Sequence, residues 1–189
     1  MANPPGASYI SPMRRLVLLR HAKSDWNVPG QPDIERALAP RGLETAPKIG
    51  AYLRAEGLVP DAAIVSAAVR TRQTFALVAS ALGRPVPEHV DRTIYEAEPR
   101  AILSAIASRG GDAGTLLVVG HNPGLQMLGL MLARRDGAEA RKRLHAKFPT
   151  AAVLVLDFHV EDWIDLPPEH AVIERFVSPA SLGMITVDD

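Results

Sequence analysis

Apolar residues gather along this chain in short continuous runs, each closed abruptly by polar or small residues. Leu16-Val17-Leu18-Leu19 stops at Arg20 and His21; Ala62 to Val65 stops at Ser66; Thr115 to Val119 stops at Gly120 and His121. Runs of this length suit strands buried on both faces. Between them the spacing turns helical. Residues 40–55 place Leu43, Ala46, Ile49, Gly50 and Leu53 on one face, with Pro40 at a first helical position and Gly57 as a stop. Pro47 lies inside that helix and costs it roughly 3 kcal/mol, so the helix is either kinked there or begins near Thr45. Ser66 is expected to cap a helix reaching residue 82, with Phe75, Val78, Ala79 and Leu82 as its core stripe and Arg72 solvated or paired. Residues 99–108 form another, and Asn122-Pro123, a cap followed by Pro, opens one over 123–134. Further strands are predicted at 92–95, ending in Tyr95-Glu96, at 151–158 and at 172–177, with Pro167-Pro168 barring regular structure between the last two. The alternation implies a three-layer α/β/α sandwich with a mostly parallel central sheet.

The remaining stretches read as connections. Residues 1–13, with three Pro and one Gly, are expected to be a disordered lead-in to a single domain over 14–189. Residues 22–39 form a long loop with a turn at Pro29-Gly30, and loops of that length tend to be functional. Within it, Trp26 either packs or lies over a site. Asp33, Glu35 and Arg36 precede the first helix, with Arg36 in a buried ion pair or on a phosphate. Arg141, Lys142, Arg143 and Lys147 give residues 138–147 a basic helical face, either solvated or a docking patch for an acidic protein.

Composition narrows the classes. With 189 residues, 47% hydrophobic and 22% charged, the chain can bury a core without staples. Lys plus Arg number 21 and Asp plus Glu number 21, so bulk charge argues for no nucleic acid and no anionic membrane as partner. There is no cysteine, which excludes a disulfide framework, thiolate-held metal and a cysteine-dependent phosphatase. No apolar run approaches the roughly 20 residues of a membrane span, and the start lacks the pattern of a signal peptide. A cytoplasmic location is the expectation.

The chemistry-bearing residues stand at strand ends, where open α/β sheets bind ligands. Arg20, His21, Arg70 and His121 together are a phosphate-binding inventory: two guanidinium forks, two imidazoles and a helix start beside His121. Neither histidine sits in HxH, HExxH or beside a carboxylate at zinc spacing, so no metal and no cofactor is expected. His89, His145, His159 and His170 carry no motif context.

Six segments, in order, carry a resemblance: LVLLRHAKSDW (16–26), ERALAPRG (35–42), VSAAVRTRQT (65–74), IYEA (94–97), VVGHNPG (118–124) and KFPTAAVLVLDF (147–158). They resemble the phosphoglycerate-mutase-like histidine phosphatase superfamily, and within it the small SixA-type phosphohistidine phosphatases. The resemblance implies a metal-independent phosphatase in which His21 is the nucleophile and forms a phosphohistidine. It makes Arg20, Arg70 and His121 the phosphate-binding residues, with His121 also stabilising the phosphoryl group in flight, and Glu96 the general acid. The substrate implied is a phosphorylated protein bearing phosphohistidine. The alternatives are a phosphatase of small phosphate monoesters, such as a sugar phosphate or nucleotide, and a non-catalytic phosphoprotein-binding domain. One departure is Arg20-His21-Ala22, where the superfamily usually has Arg-His-Gly; alanine narrows backbone approach and the φ > 0 options, and is a mark of SixA-like sequences.

Overall fold

Strands and helices alternate through most of the chain in the computed structural model, which describes residues 12–136 and 138–184. In order they are β1 (Met13–Arg20), α1 (Pro40–Ala55), β2 (Ala62–Ser66), α2 (Val69–Ala81), β3 (Glu88–Asp91), α3 (Pro99–Arg109), β4 (Thr115–Gly120), α4 (Gly124–Leu132), α5 (Ala138–Ala146), β5 (Val153–His159) and β6 (Val172–Val177). Of the expected lead-in, residues 1–11 lie outside the described residues, and the first strand already starts at Met13.

The sheet order is β3-β2-β4-β1-β5-β6, with β3, β2, β4 and β1 mutually parallel and β5 antiparallel to both β1 and β6. Successive side chains of a strand point to opposite faces, and the continuous apolar runs therefore feed two cores at once. Leu16, Leu18, Leu116, Val118, Leu154 and Leu156 meet Ile102, Ile106, Leu125 and Leu128 of α3 and α4. Val17, Leu19, Leu117, Val119, Val153 and Val155 meet Ile49, Leu53, Phe75 and Val78 of α1 and α2. This is the three-layer arrangement expected from the alternation.

Four local expectations are corrected. The third strand lies at Glu88–Asp91, not 92–95; residues Arg92–Ile94 form a 3₁₀ turn. β3 is an edge strand paired only with β2, so no apolar run marks it, and the Asp91 carboxylate ends it by accepting from the Thr93 amide at 2.8 Å. The second helix starts at Val69 after Ala68, without a side-chain cap, because the Ser66 hydroxyl faces His121 instead. The fourth helix starts at Gly124 rather than at Pro123, and the Asn122 amide nitrogen does not cap it but donates to Gln126 Oε1 at 3.1 Å and to the Phe148 carbonyl at 3.2 Å. In α1 the buried face is Gly42, Ala46, Ile49, Gly50 and Leu53, leaving Leu43 exposed; α1 begins at Pro40 and continues past Pro47, so it does not start late. Gly42 takes the inward place because a Cβ there would run into the Lys23 carbonyl oxygen.

Candidate active site

Register fixes the centre of the site. Arg20 is paired with Gly120 across the parallel β1–β4 ladder, and the His21 amide donates to the Gly120 carbonyl at 3.1 Å. The residue after each strand end is therefore a histidine, and the His21 and His121 rings lie 5.3 Å apart. Both are buried, at 7% and 4% exposure. β2 pairs with the other side of β4, which brings Ser66 at its end to His121.

Hydrogen bonds select the tautomers. His21 Nδ1 lies 2.8 Å from the Ala22 carbonyl, an acceptor only, so this nitrogen carries the proton and Nε2 keeps its lone pair. His121 is set the opposite way. Its Nδ1 accepts from an Arg70 guanidinium nitrogen at 3.3 Å, so Nε2 carries the proton and donates to Ser66 Oγ at 2.7 Å. Burial lowers the His21 pKa from 6.5 to about 4, with the Arg70 and Arg20 charges adding to it against the Ala22 hydrogen bond. Burial likewise lowers His121 to about 3, helped by His21 and Arg70. Both imidazoles are neutral at pH 7.

The two arginines are held by different means. Arg20 donates to the Phe148 carbonyl at 2.9 Å, in the turn before β5. Arg70, in the first turn of α2 and only 4% exposed, donates to the Asp33 carbonyl at 2.7 Å and to Asp33 Oδ2 at 2.8 Å. The same Oδ2 accepts from the Tyr95 hydroxyl at 2.7 Å. Burial alone would raise the Asp33 pKa, but the bonds from Tyr95 and Arg70 outweigh it and hold the carboxyl below its ordinary value. Desolvation and Asp33 raise that of Tyr95. Tyr95 also sets its ring edge-on to His121, 5.3 Å between centroids.

Glu96 stands at the rim. Its side chain is 55% exposed, one oxygen is 3.3 Å from Arg70, and its backbone φ is +46°. Arg36 pairs with Asp33 at 3.4 Å and lies under Trp26, whose exposed ring is 4.0 Å from the guanidinium. Arg36 makes an ion pair, as one of its two readings has it, and the Trp26 ring lies over its guanidinium. Ala22 is fully buried; its amide donates to Thr74 Oγ1 at 3.0 Å and its φ is not positive, so no glycine is needed there.

Sequence reasoning brought Arg20, His21, Arg70, His121 and Glu96 to one place, and the structure gathers them. It missed Asp33, Tyr95 and Ser66 as parts of the same network. Tyr95 stood beside Glu96 and Ser66 closed an apolar run, which were usable signals; Asp33 had none, because its partner is 37 residues away. Among the described residues no group of three or more His, Asp or Glu side chains could hold a metal ion. Chemically the arrangement offers one neutral imidazole with an unprotonated Nε2, a second imidazole and two guanidinium groups able to meet an anion, and a carboxylate at the mouth.

Comparison with known proteins bears on the family and the fold. The sequence profile of the histidine phosphatase superfamily (branch 1) matches residues 16–99. An uncharacterised protein of Mycobacterium tuberculosis (strain ATCC 25618 / H37Rv) is 37% identical over 163 residues, 85% of this chain and 99% of its own. The solved structure of SixA from Nakamurella multipartitia superposes with a TM-score of 0.78 at 31% identity, covering 90% of this chain and 98% of its own. SixA from Agrobacterium tumefaciens gives 0.71 at 28% identity, covering 88% and 99%.

Proposed function

The chain belongs to the histidine phosphatase superfamily, branch 1, and is a phosphatase; from that premise we propose that it hydrolyses phosphohistidine on a protein through a covalent intermediate on His21, without a metal ion. The observation that carries the mechanism is the His21 tautomer. With Nδ1–H donated to Ala22, Nε2 is an unprotonated nucleophile at pH 7. Nε2 attacks phosphorus, and the bond from phosphorus to the substrate imidazole breaks. The departing nitrogen keeps the electron pair and takes a proton. Water then attacks phosphorus, the bond to Nε2 breaks, and inorganic phosphate leaves.

Phosphoryl transfer demands mainly position and charge stabilisation. Arg20 and Arg70 supply planar donors for the equatorial oxygens. His121 is neutral at rest; an arriving dianion favours its imidazolium, which adds a donor toward the phosphoryl group. Two features favour phosphohistidine as substrate. The SixA structures at 31% and 28% identity are named as candidate phosphohistidine phosphatases. Glu96 is half exposed and engaged with Arg70, a modest acid, and an imidazole leaving group needs less protonation than an alkoxide. The same placement of Glu96 at the mouth favours small phosphate monoesters as the second reading, since an ester would need that acid.

The test offers a phosphohistidine-bearing protein and an alkyl phosphate to the wild type, His21→Ala and Glu96→Gln, with chelator present throughout. The wild type is expected to turn over the first faster than the second, and His21→Ala neither. Glu96→Gln is expected to lose about 10²-fold or more only on the ester. Wild-type rates in His21→Ala would sink the covalent mechanism, and faster turnover of the ester would transfer the substrate to the second reading.

A further inference from the structure

The loop between β1 and α1 carries two apolar side chains for which the reaction itself has no use. Trp26 is 66% exposed, and Val28, two positions on, is 50% exposed. Tryptophan is highly buried on average, so an indole left mostly in water is an informative exception. We propose that Trp26, with Val28 beside it, is a specificity-determining surface that receives an apolar side chain of the polypeptide flanking the phosphorylated histidine. The inference rests on the phosphohistidine reading and names the part of the substrate that this reading leaves open.

Place is the first reason. The Trp26 ring centroid lies 4.0 Å from the Arg36 guanidinium, Arg36 pairs with Asp33 at 3.4 Å, and Asp33 accepts from Arg70 at 2.8 Å. The ring is thus joined to the phosphate-binding arginine by an unbroken line of contacts, with two side chains between them. A substrate that sets its phosphoryl group on Arg70 and also meets the ring needs a body of a few residues, at about 3.3 Å of extended chain each. Preorganisation is the second. The cation against the indole fixes the ring's orientation before anything binds. An aromatic side chain that is already ordered gives up little entropy in a complex, and Trp is enriched among the residues that dominate protein interfaces.

The fold of the loop supplies the third reason, because other bonds fasten it. The Asp25 amide donates to the Ala37 carbonyl at 2.9 Å, the Ala39 amide to the Lys23 carbonyl at 2.9 Å, and the Leu38 amide to Gln73 Oε1 at 2.8 Å. Asp25 Oδ1 also accepts from the Asn27 amide at 2.9 Å. These bonds close the loop on both sides of Trp26, so its outward ring is spare for recognition. The chemistry of the pair selects the occupant. An indole beside a valine offers apolar area without formal charge, which complements a leucine or isoleucine side chain and not the hydroxyl-rich body of a sugar phosphate.

The test gives the full chain, as wild type, Trp26→Ala, Trp26→Phe and Val28→Ser, three probes that share one reacting bond. They are free phosphohistidine, a peptide carrying one phosphohistidine between glycine and serine flanks, and the same peptide with leucines in its flanks. The wild type is expected to favour the leucine peptide over the other two by about tenfold in kcat/KM, through KM rather than kcat. Trp26→Ala should lose that preference while its rate on free phosphohistidine stays within about twofold of wild type. Trp26→Phe should keep most of the preference, and Val28→Ser part of it. Equal rates of the wild type on both peptides, a preference that survives in Trp26→Ala, or equal losses on all three probes in Trp26→Ala and Trp26→Phe would overturn the inference. Phosphohistidine left intact by the wild type in every probe would instead sink the reading beneath it, and the inference with it.

Discussion

Two imidazoles at the ends of adjacent strands would be equivalent by sequence, and single neighbours make them different. The Ala22 carbonyl frees Nε2 of His21; Ser66 and Arg70 together give His121 the opposite tautomer. Ser66→Ala removes the acceptor of a buried N–H and should cost about 1–3 kcal/mol of stability, read by denaturant unfolding, with the His121 nitrogen resonances showing loss of the fixed tautomer. Tyr95→Phe removes one of the bonds that hold Asp33 against Arg70. It should raise KM about three- to tenfold with a smaller change in kcat, while stability falls by about 1 kcal/mol. Because His21 titrates near 4, the acid limb of kcat/KM should fall near pH 4 rather than at the ordinary 6.5; an acid limb at 6.5 would contradict the buried neutral nucleophile. At this scale the sequence displayed the residues that gather at the site but not their orienters. Strand ends advertise Arg20, His21 and His121, whereas the Asp33–Arg70–Tyr95 contact exists only after the 22–39 loop folds back over α2.

Elements position these side chains through close backbone approach. The start of α1 presses on the Lys23 carbonyl through Gly42, and the start of α4 presses on the Ala97 carbonyl through Gly124, where a Cβ would also collide. Gly42→Ala should therefore displace the segment behind His21, lowering both stability, by about 1–3 kcal/mol, and activity; an unchanged melting temperature and rate would refute that contact. The doubly buried strands were readable because an uninterrupted apolar run has few other uses. β3 was misplaced because an edge strand with exposed Glu88, His89 and Val90 has no such run. The phase of α1 was misread by one residue at its start because Leu43 outranks Gly42 in hydrophobicity, and only the nearness of Lys23 inverts their places.

The whole molecule carries a cost of keeping both histidines neutral. An unfolded chain protonates them near 6.5, the folded one only near 4 and 3, so their contribution to stability is complete above pH 6.5 and is lost as pH falls through those values. Each histidine should remove roughly 1.4 kcal/mol per pH unit across its window, seen as a falling urea midpoint that flattens in His121→Gln. The order of the layers was legible from alternation alone, while the convergence of residues 23, 41, 143 and 147 on one cavity was not, since it needs β5 and β6 turned antiparallel beside β1. That central strand has a further consequence. β1 is bonded on both sides, to β4 and to β5, and both of its faces are sealed. Its amides should be among the last to exchange with deuterium, opening only when the entire fold opens. The residues at the mouth, Trp26 and Glu96, belong to connections outside the sheet. Substitutions at that rim can therefore change what reaches the two histidines without loosening the frame that aligns them.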